Sequence, residues 1–397
     1  MTRQRDIGVR RAYTFAMTVV PAPIRMEARN EPRRIALVHD YLVQDGGAER
    51  VLLAFHELFP RAPIFTLFHD PERTHAGFKH ADIRPSKLNR LPFARRHYQW
   101  YLPLMPEAVE SIDLSGYDLV LSSSSNFAKG IIATPESLHV CYLHTPTRFL
   151  WQERLGYVND IPQPRLIKRL LPAYLHHLRQ WDQLAAMRPD LLLTNSRTSQ
   201  TRIRRFYSRE SEIMPPPVEV DRIPLSTKPG TYWLTGGRLV AYKRFDLVVR
   251  AFAKLNLPLK IFGVGPEMDK LRKMAGPRTE FLGHITDEAK IQLFREAIAF
   301  LHPQIEDFGI TAVEAMAAGR PIIAFGQGGA AETVMDGVTG TFFEMQTWED
   351  IGNAAMRFDP SRYDPRKIRL HAETFGKQAF LKRLKERLDT AWLARSV

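Results

Sequence analysis

Cysteine is nearly absent from this 397-residue chain, whose only one is Cys141. One thiol permits no internal disulfide, which suits a reducing cytoplasm. Its apolar setting, "HVCYLH", reads as a small buried side chain rather than a nucleophile or metal ligand. Long apolar runs are missing too. None approaches the roughly 18 residues of a membrane-spanning helix, so the chain is expected not to cross a bilayer, although it can lie on one. Short solenoid repeats, low-complexity tracts and a D-x-D motif are absent. Acid is short relative to base: 43 Asp and Glu against 56 Lys and Arg leave a formal charge of +13. That excess favours an anionic partner, whether nucleic acid, a phosphorylated substrate or an acidic membrane surface.

Two stretches concentrate the charge. "RPSKLNRLPFARRHYQWY" (Arg84 to Tyr101) carries basic side chains and no acid among leucines and aromatics, and "RLIKRLLPAYLHHLRQW" (Arg165 to Trp181) follows in the same half. Basic segments with interleaved Leu, Phe, Trp and Tyr are expected of a peripheral membrane helix. Residues 1–33 are arginine-rich around a short apolar centre, without a convincing cleavage site; they read as a disordered extension, with Met26 a candidate alternative start.

Short apolar, β-branched runs alternate with helical patterns in two series. "RIALVHD", "APIFTLF", "YDLVLSSSS", "HVCYLHT" and "DLLLTNS" form the first, and "YWLTGG", "LKIFGVG", "TEFLGH", "AFLHPQ", "RPIIAFG" and "TGTFFE" the second. Such strands belong to parallel sheets covered on both faces, so the fold class is α/β with two doubly wound, Rossmann-like domains. The proline-rich stretch 216–230 is the expected linker. It divides an N-terminal domain at 34–215 from a C-terminal one at 231–375, with a terminal helix at 376–397 packing back on the first. Ligands of open α/β sheets bind beyond the carboxyl ends of the strands, so the cleft between the domains is the expected site.

Five segments there can carry chemistry. In "LVHDYLVQDGGAERV", Gly46 and Gly47 between a strand and a helix let backbone N–H groups approach a phosphate, or simply make a tight turn. In "WLTGGRLVAYKRFD", Arg238 and Lys243 beside a glycine pair suit a diphosphate, the first as a planar fork and the second as a compact charge. "IFGVGPE" offers Gly263 and Gly265 at another strand-to-helix turn, and His144 ends a buried strand in "HVCYLHTPTRFLW". The fifth segment, "PQIEDFGITAVEAMAAGRP", holds Glu306 in a loop and Glu314 more than one turn into a helix that starts near Ile310 and is capped by Gly319. The two carboxylates flank a helix start that would attract an anion, instead of facing one another as a glycosidase pair must.

Together, "GGRLVAYKRFD", "EDFGITAVE" with its E-x(7)-E spacing, and "HDYLVQDGGAERV" resemble the retaining GT-B glycosyltransferases of glycosyltransferase family 4. "HVCYLHTPTRFLW" and "YDLVLSSSSNFAKG" are similar to its bacterial surface-polysaccharide branch, which includes mannosyltransferases. The resemblance implies that Arg238 and Lys243 hold the donor diphosphate, that the Phe308, Gly309 and Ile310 backbone meets sugar and phosphate, and that Glu314 grips the ribose. It gives Glu306 and His144 to the transferred sugar, Gly46 and Gly47 to the phosphates, and Ile285 to the base. No cofactor and no metal are implied. "GQGGAAETV" departs from the family, which more often has Ser or Pro before the paired glycines.

The expected protein is therefore a metal-independent, retaining hexosyltransferase at the inner face of the cytoplasmic membrane. Its donor is a nucleotide diphosphate sugar, GDP-mannose foremost, and its acceptor a polyprenyl-linked or other glycan. A nucleotide-sugar 2-epimerase of the same architecture is the alternative within the fold. A basic nucleic-acid-binding protein is the alternative outside it, without a recognised motif to support it.

Overall fold

The computed structural model describes residues 34–152, 165–228 and 230–395; the expected extension at 1–33 lies outside the described residues. The first sheet has seven parallel strands: β1 (Ile35–Leu42), β2 (Ile64–His69), β3 (Ile83–Pro85), β4 (Leu119–Ser124), β5 (Leu138–Leu143), β6 (Leu191–Thr194) and β7 (Glu212–Ile213). Their spatial order is β3-β2-β1-β4-β5-β6-β7. The second sheet has six: β8 (Tyr232–Gly236), β9 (Leu259–Phe262), β10 (Thr279–Gly283), β11 (Ala297–His302), β12 (Ile322–Phe325) and β13 (Gly340–Phe343). They are ordered β10-β9-β8-β11-β12-β13.

All six residues of β4 and of β5 are buried, as continuous apolar runs covered on both faces require. The strand order reverses between β1 and β4 in the first sheet and between β8 and β11 in the second. A crevice opens beyond the carboxyl ends of strands at such a reversal, because the flanking connections leave in opposite directions. The loops that matter are thus those after β1, β4, β8 and β11.

The chain passes from one sheet to the other through residues 214–231 and returns at Gly376, which forms a bridge with Val218. From there the helix Lys377–Arg395 buries Phe380, Leu384 and Leu388, spaced one turn apart, against the first sheet. Phe380 stacks on Phe55 at 6.3 Å and meets Tyr142 edge-on at 6.1 Å. Beneath the loop after β4, the fully buried Lys129 ammonium lies 2.6 Å from Asp182, whose carboxylate also accepts from Thr147, Trp151 and Tyr207.

The expected helix over Arg84 to Tyr101 is corrected. The segment is β3 followed by two 3₁₀ turns, Lys87–Arg90 and Tyr98–Leu104. Pro85, Pro92 and Pro103 remove the N–H groups a continuous helix would use, and Phe93 sits in the left-handed region at φ 58°. Among the described residues no helix is long and apolar enough to cross a membrane.

Candidate functional site

The loop after β8 carries Arg238 into the cleft, and a 3₁₀ turn at Ala241–Lys243 brings Lys243 back beneath it. The loop after β11 carries Glu306, whose Oε1 lies 2.7 Å from the Lys243 Nζ. Burial pushes the Glu306 carboxyl up, but the Lys243 charge and hydrogen bond outweigh it and hold the group below its ordinary range, so it is ionised. His302 is fully buried at the end of β11 with Nε2 4.0 Å from Glu306 and no hydrogen-bond partner on that nitrogen. Its burial lowers the imidazole to about 4, keeping it neutral beside the ion pair.

Gly309, at φ 91°, turns the chain into the helix Ile310–Ala317. A side chain there would be strained. The Phe308 ring is buried in the core against Phe375, so only its backbone is left to meet a ligand. The first N–H groups of a helix have no partner within it, so the Gly309 to Thr311 backbone forms an electropositive patch facing the cavity.

The first sheet supplies the opposite wall. The Asp40 carboxylate at the end of β1 accepts the backbone N–H groups of Ser125, Asn126, Phe127 and Ala128 at 2.6 to 2.8 Å, which fixes the loop after β4. His144 follows β5, with Nε2 2.9 Å from the Ser123 hydroxyl. That hydroxyl also lies 3.2 Å from His39 Nδ1, and His39 Nε2 is 3.7 Å from Glu49. Burial alone would push the His39 imidazole down, but Glu49 and Asp40 raise it above its ordinary value. Burial, with the His39 charge beside it, lowers His144 to about 3 and leaves it a neutral imidazole at the cavity wall. Gly46 caps the helix Gly47–Leu58. A methyl on Gly47 would come within 3.1 Å of Ile310, so the two helix starts nearly touch across the cleft.

Glu314 lies further along, 3.0 Å from Lys290, which also pairs with Asp287 at 3.3 Å. Asp287 in turn pairs with Arg50 of the first domain at 3.2 Å. Glu314, Lys290, Ile285 and the Gly46-Gly47 turn line one cavity of about 480 Å³. Arg238, Glu306, His144 and the Phe308 to Ile310 backbone line a second of about 650 Å³. Both are lined by Gly47, Ile310 and Thr311, so they join where the helix starts meet. A larger hollow of about 1090 Å³, walled by Arg34, Pro63 and Tyr117, lies at the amino ends of the first sheet's strands and holds none of these groups.

Three contacts tie the walls together that sequence reasoning missed. Asp307 receives Arg148, at 2.5 Å, and Arg202 from the first domain. Glu332 accepts the Arg197 and Thr198 backbone N–H groups at a helix start, at 2.7 and 2.9 Å, and Arg50 meets Asp287 as above. An acid beside Glu306 and an arginine after a strand carry no sequence signal of pairing, because their partners are more than 100 residues away. The structure thus brings every expected site residue to one cleft, whereas Gly263 and Gly265 line neither cavity. A Cβ on Gly263 would fall 1.8 Å from the Gly237 carbonyl oxygen, so these glycines let two loops interlock. Among the described residues no group of three or more His, Cys, Asp or Glu side chains is placed to hold a metal ion.

Comparison with known proteins bears on this arrangement. Residues 221–368 match the family described as glycosyl transferases group 1. The D-inositol 3-phosphate glycosyltransferase of Mycobacterium tuberculosis is 33% identical over 158 residues, covering 35% of this chain and 33% of that one. The match therefore spans about a third of that relative's length. Over almost the whole chain the similarity is of fold. Sucrose-phosphate synthase from Thermosynechococcus elongatus superposes with a TM-score of 0.70 at 18% identity, covering 91% of this chain and 100% of that one. The Anabaena protein HepE in complex with UDP-glucose gives 0.67 at 19% identity, over 90% and 99%. Two parallel-sheet, Rossmann-like domains in this order constitute the GT-B fold of those glycosyltransferases.

Proposed function

We propose that the chain is a retaining, metal-independent glycosyltransferase that moves a hexose from a nucleotide diphosphate sugar to a lipid-linked glycan at the inner face of the cytoplasmic membrane. The observation that carries the reading is a pair of joined cavities: Glu314 lines the first, Arg238, Glu306 and His144 line the second, with Lys243 ion-paired to Glu306, and the two helix starts line both. In this reading the ribose takes the first cavity, the diphosphate the helix starts and the sugar the second cavity. A carboxylate accepts from the ribose hydroxyls once Lys290 turns aside, and two cations with a helix start match the charge that grows on the leaving diphosphate. Ile285 offers an apolar wall to the base.

In the reaction the acceptor oxygen bonds to the anomeric carbon on the face from which the phosphate departs. The old carbon–oxygen bond breaks with its electron pair going to the diphosphate, and the acceptor proton passes to a phosphate oxygen. Glu306, ionised, faces the positive charge that develops on the sugar, and the neutral His144 holds a sugar hydroxyl. The family match over residues 221–368 and the UDP-glucose bound by the similarly folded HepE support a nucleotide-sugar donor. GDP-mannose is the first candidate, on the resemblance to surface-polysaccharide mannosyltransferases.

The test is incubation with GDP-, UDP- and ADP-hexoses, following thermal stabilisation and nucleoside diphosphate release with a membrane-extracted acceptor. One donor family should raise the unfolding midpoint and be consumed with release of its diphosphate. A sugar nucleotide converted without release would point to epimerisation, and no stabilisation by any of the three would overturn the reading.

A further inference from the structure

The segment that replaces the expected basic helix exposes two of its aromatic residues, Phe93 and Trp100, to solvent. Phe93 is 70% exposed, Trp100 55% and Leu104 43%. Phe93 meets Trp100 edge-on at 6.4 Å, and His97 stacks on Trp100 at 4.5 Å, so they form one raised cluster. Phe93 also holds a left-handed backbone at φ 58°, a conformation a bulky side chain adopts only at a cost.

Arg90, Arg95 and Arg96 lie within three residues of Phe93 in the chain, all exposed, and among the described residues no carboxylate lies within ion-pair distance of them. Unpaired positive charge next to exposed apolar tips is the complement of a surface with anionic headgroups over an apolar interior. Its place in the fold is equally specific. Tyr98, two residues from Trp100, packs on Tyr41 at 5.0 Å, and Tyr41 lies at the carboxyl end of β1, just before the Gly46-Gly47 turn. The cluster therefore stands beside the mouth of the cleft.

We infer that Phe93 and Trp100 insert into an anionic phospholipid bilayer, with Arg95 and Arg96 on its headgroups, and so hold the cleft at the membrane. Resting on the glycosyl-transfer reading, this docking gives a lipid-linked acceptor a short path from the bilayer to the cavity of Glu306.

The test uses the full chain with vesicles of phosphatidylcholine alone or mixed equally with phosphatidylglycerol, measured by co-sedimentation, and nucleotide binding followed in the same preparations. Wild type should bind the anionic vesicles and not the neutral ones. Arg95→Glu with Arg96→Glu should weaken binding about thirtyfold or more. Phe93→Gly with Trp100→Ser should weaken it about tenfold or more, with an unfolding midpoint no lower than wild type, because glycine relieves the backbone strain. Unchanged binding in both variants would overturn the docking. So would a duplex or single-stranded RNA bound as tightly and lost through the same substitutions, which would make the cluster a nucleic-acid surface. Vesicle binding without nucleotide binding would spare the docking and sink the enzymatic reading, and the reverse result would do the opposite.

Discussion

Lys243→Ala is expected to lower sugar transfer by about a thousandfold while the purified variant keeps its unfolding midpoint within a few degrees. The size follows from what one electrostatic partner of a developing charge is worth in a water-poor site, about 10² to 10³ in turnover, with a further loss from the effect on Glu306. Lys243 is the largest influence holding the Glu306 carboxyl down; without it, burial beside a neutral His302 pushes that carboxyl above its ordinary value. The residual activity then depends on ionising Glu306. Since the carboxyl is protonated below its raised pKa, activity should climb as pH rises from the ordinary carboxylate range through that raised pKa. In wild type, where the pKa is depressed, Glu306 is already ionised there and contributes no such slope. The check is a pH profile of turnover for both proteins. Near-normal turnover in the variant would remove the Lys243–Glu306 pair from the chemistry.

The second large effect is on stability. Lys129→Met leaves the Asp182 carboxylate buried with three neutral donors, from Thr147, Trp151 and Tyr207, and no counter-charge. Removing one partner of a buried pair costs about 3–5 kcal/mol, because the survivor stays desolvated and uncompensated. The midpoint of the first domain should drop by about 10 °C. Adding Asp182→Asn should restore much of it, since the remaining group is then neutral. The Lys129 Nζ also bonds the Asn126 carbonyl, and Asn126 lines the reaction cavity, so the single variant should lose turnover as well as stability. Calorimetry of the single and double variants decides: a loss under about 1 kcal/mol in the single variant would mean that Asp182 takes up a proton or reaches water.

Most of both sheets was legible because parallel strands covered on both faces must be continuously apolar. All the runs from "RIALVHD" to "TGTFFE" are strands. β3 and β7 escaped, being three and two residues long at the edges of their sheet, where a strand carries little burial pattern. The Arg84 to Tyr101 segment misled because charge and hydrophobicity there are patterned like a helix, while its prolines are not.

The cleft residues could be picked out because each follows a strand and pairs an unusual side chain with glycine. The lateral partners could not. Lys290 beside Glu314 and the two arginines on Asp307 are ordinary surface cations in sequence, and only tertiary folding across more than 20 or 100 residues gives them a role. Likewise the Glu49, His39 and Ser123 chain behind His144 draws on three separate elements, none of which marks itself as part of a site.

The central claim is that a nucleotide diphosphate sugar lies along the two joined cavities, and hydrogen exchange on the full chain with and without the stabilising donor tests it most directly. The account predicts slower exchange at Gly46-Gly47, from Gly236 to Lys243 and from Glu306 to Glu314, with the rest of the two sheets unchanged. Protection confined to the hollow walled by Arg34, Pro63 and Tyr117, or no protection at the paired helix starts despite saturating donor, would contradict it.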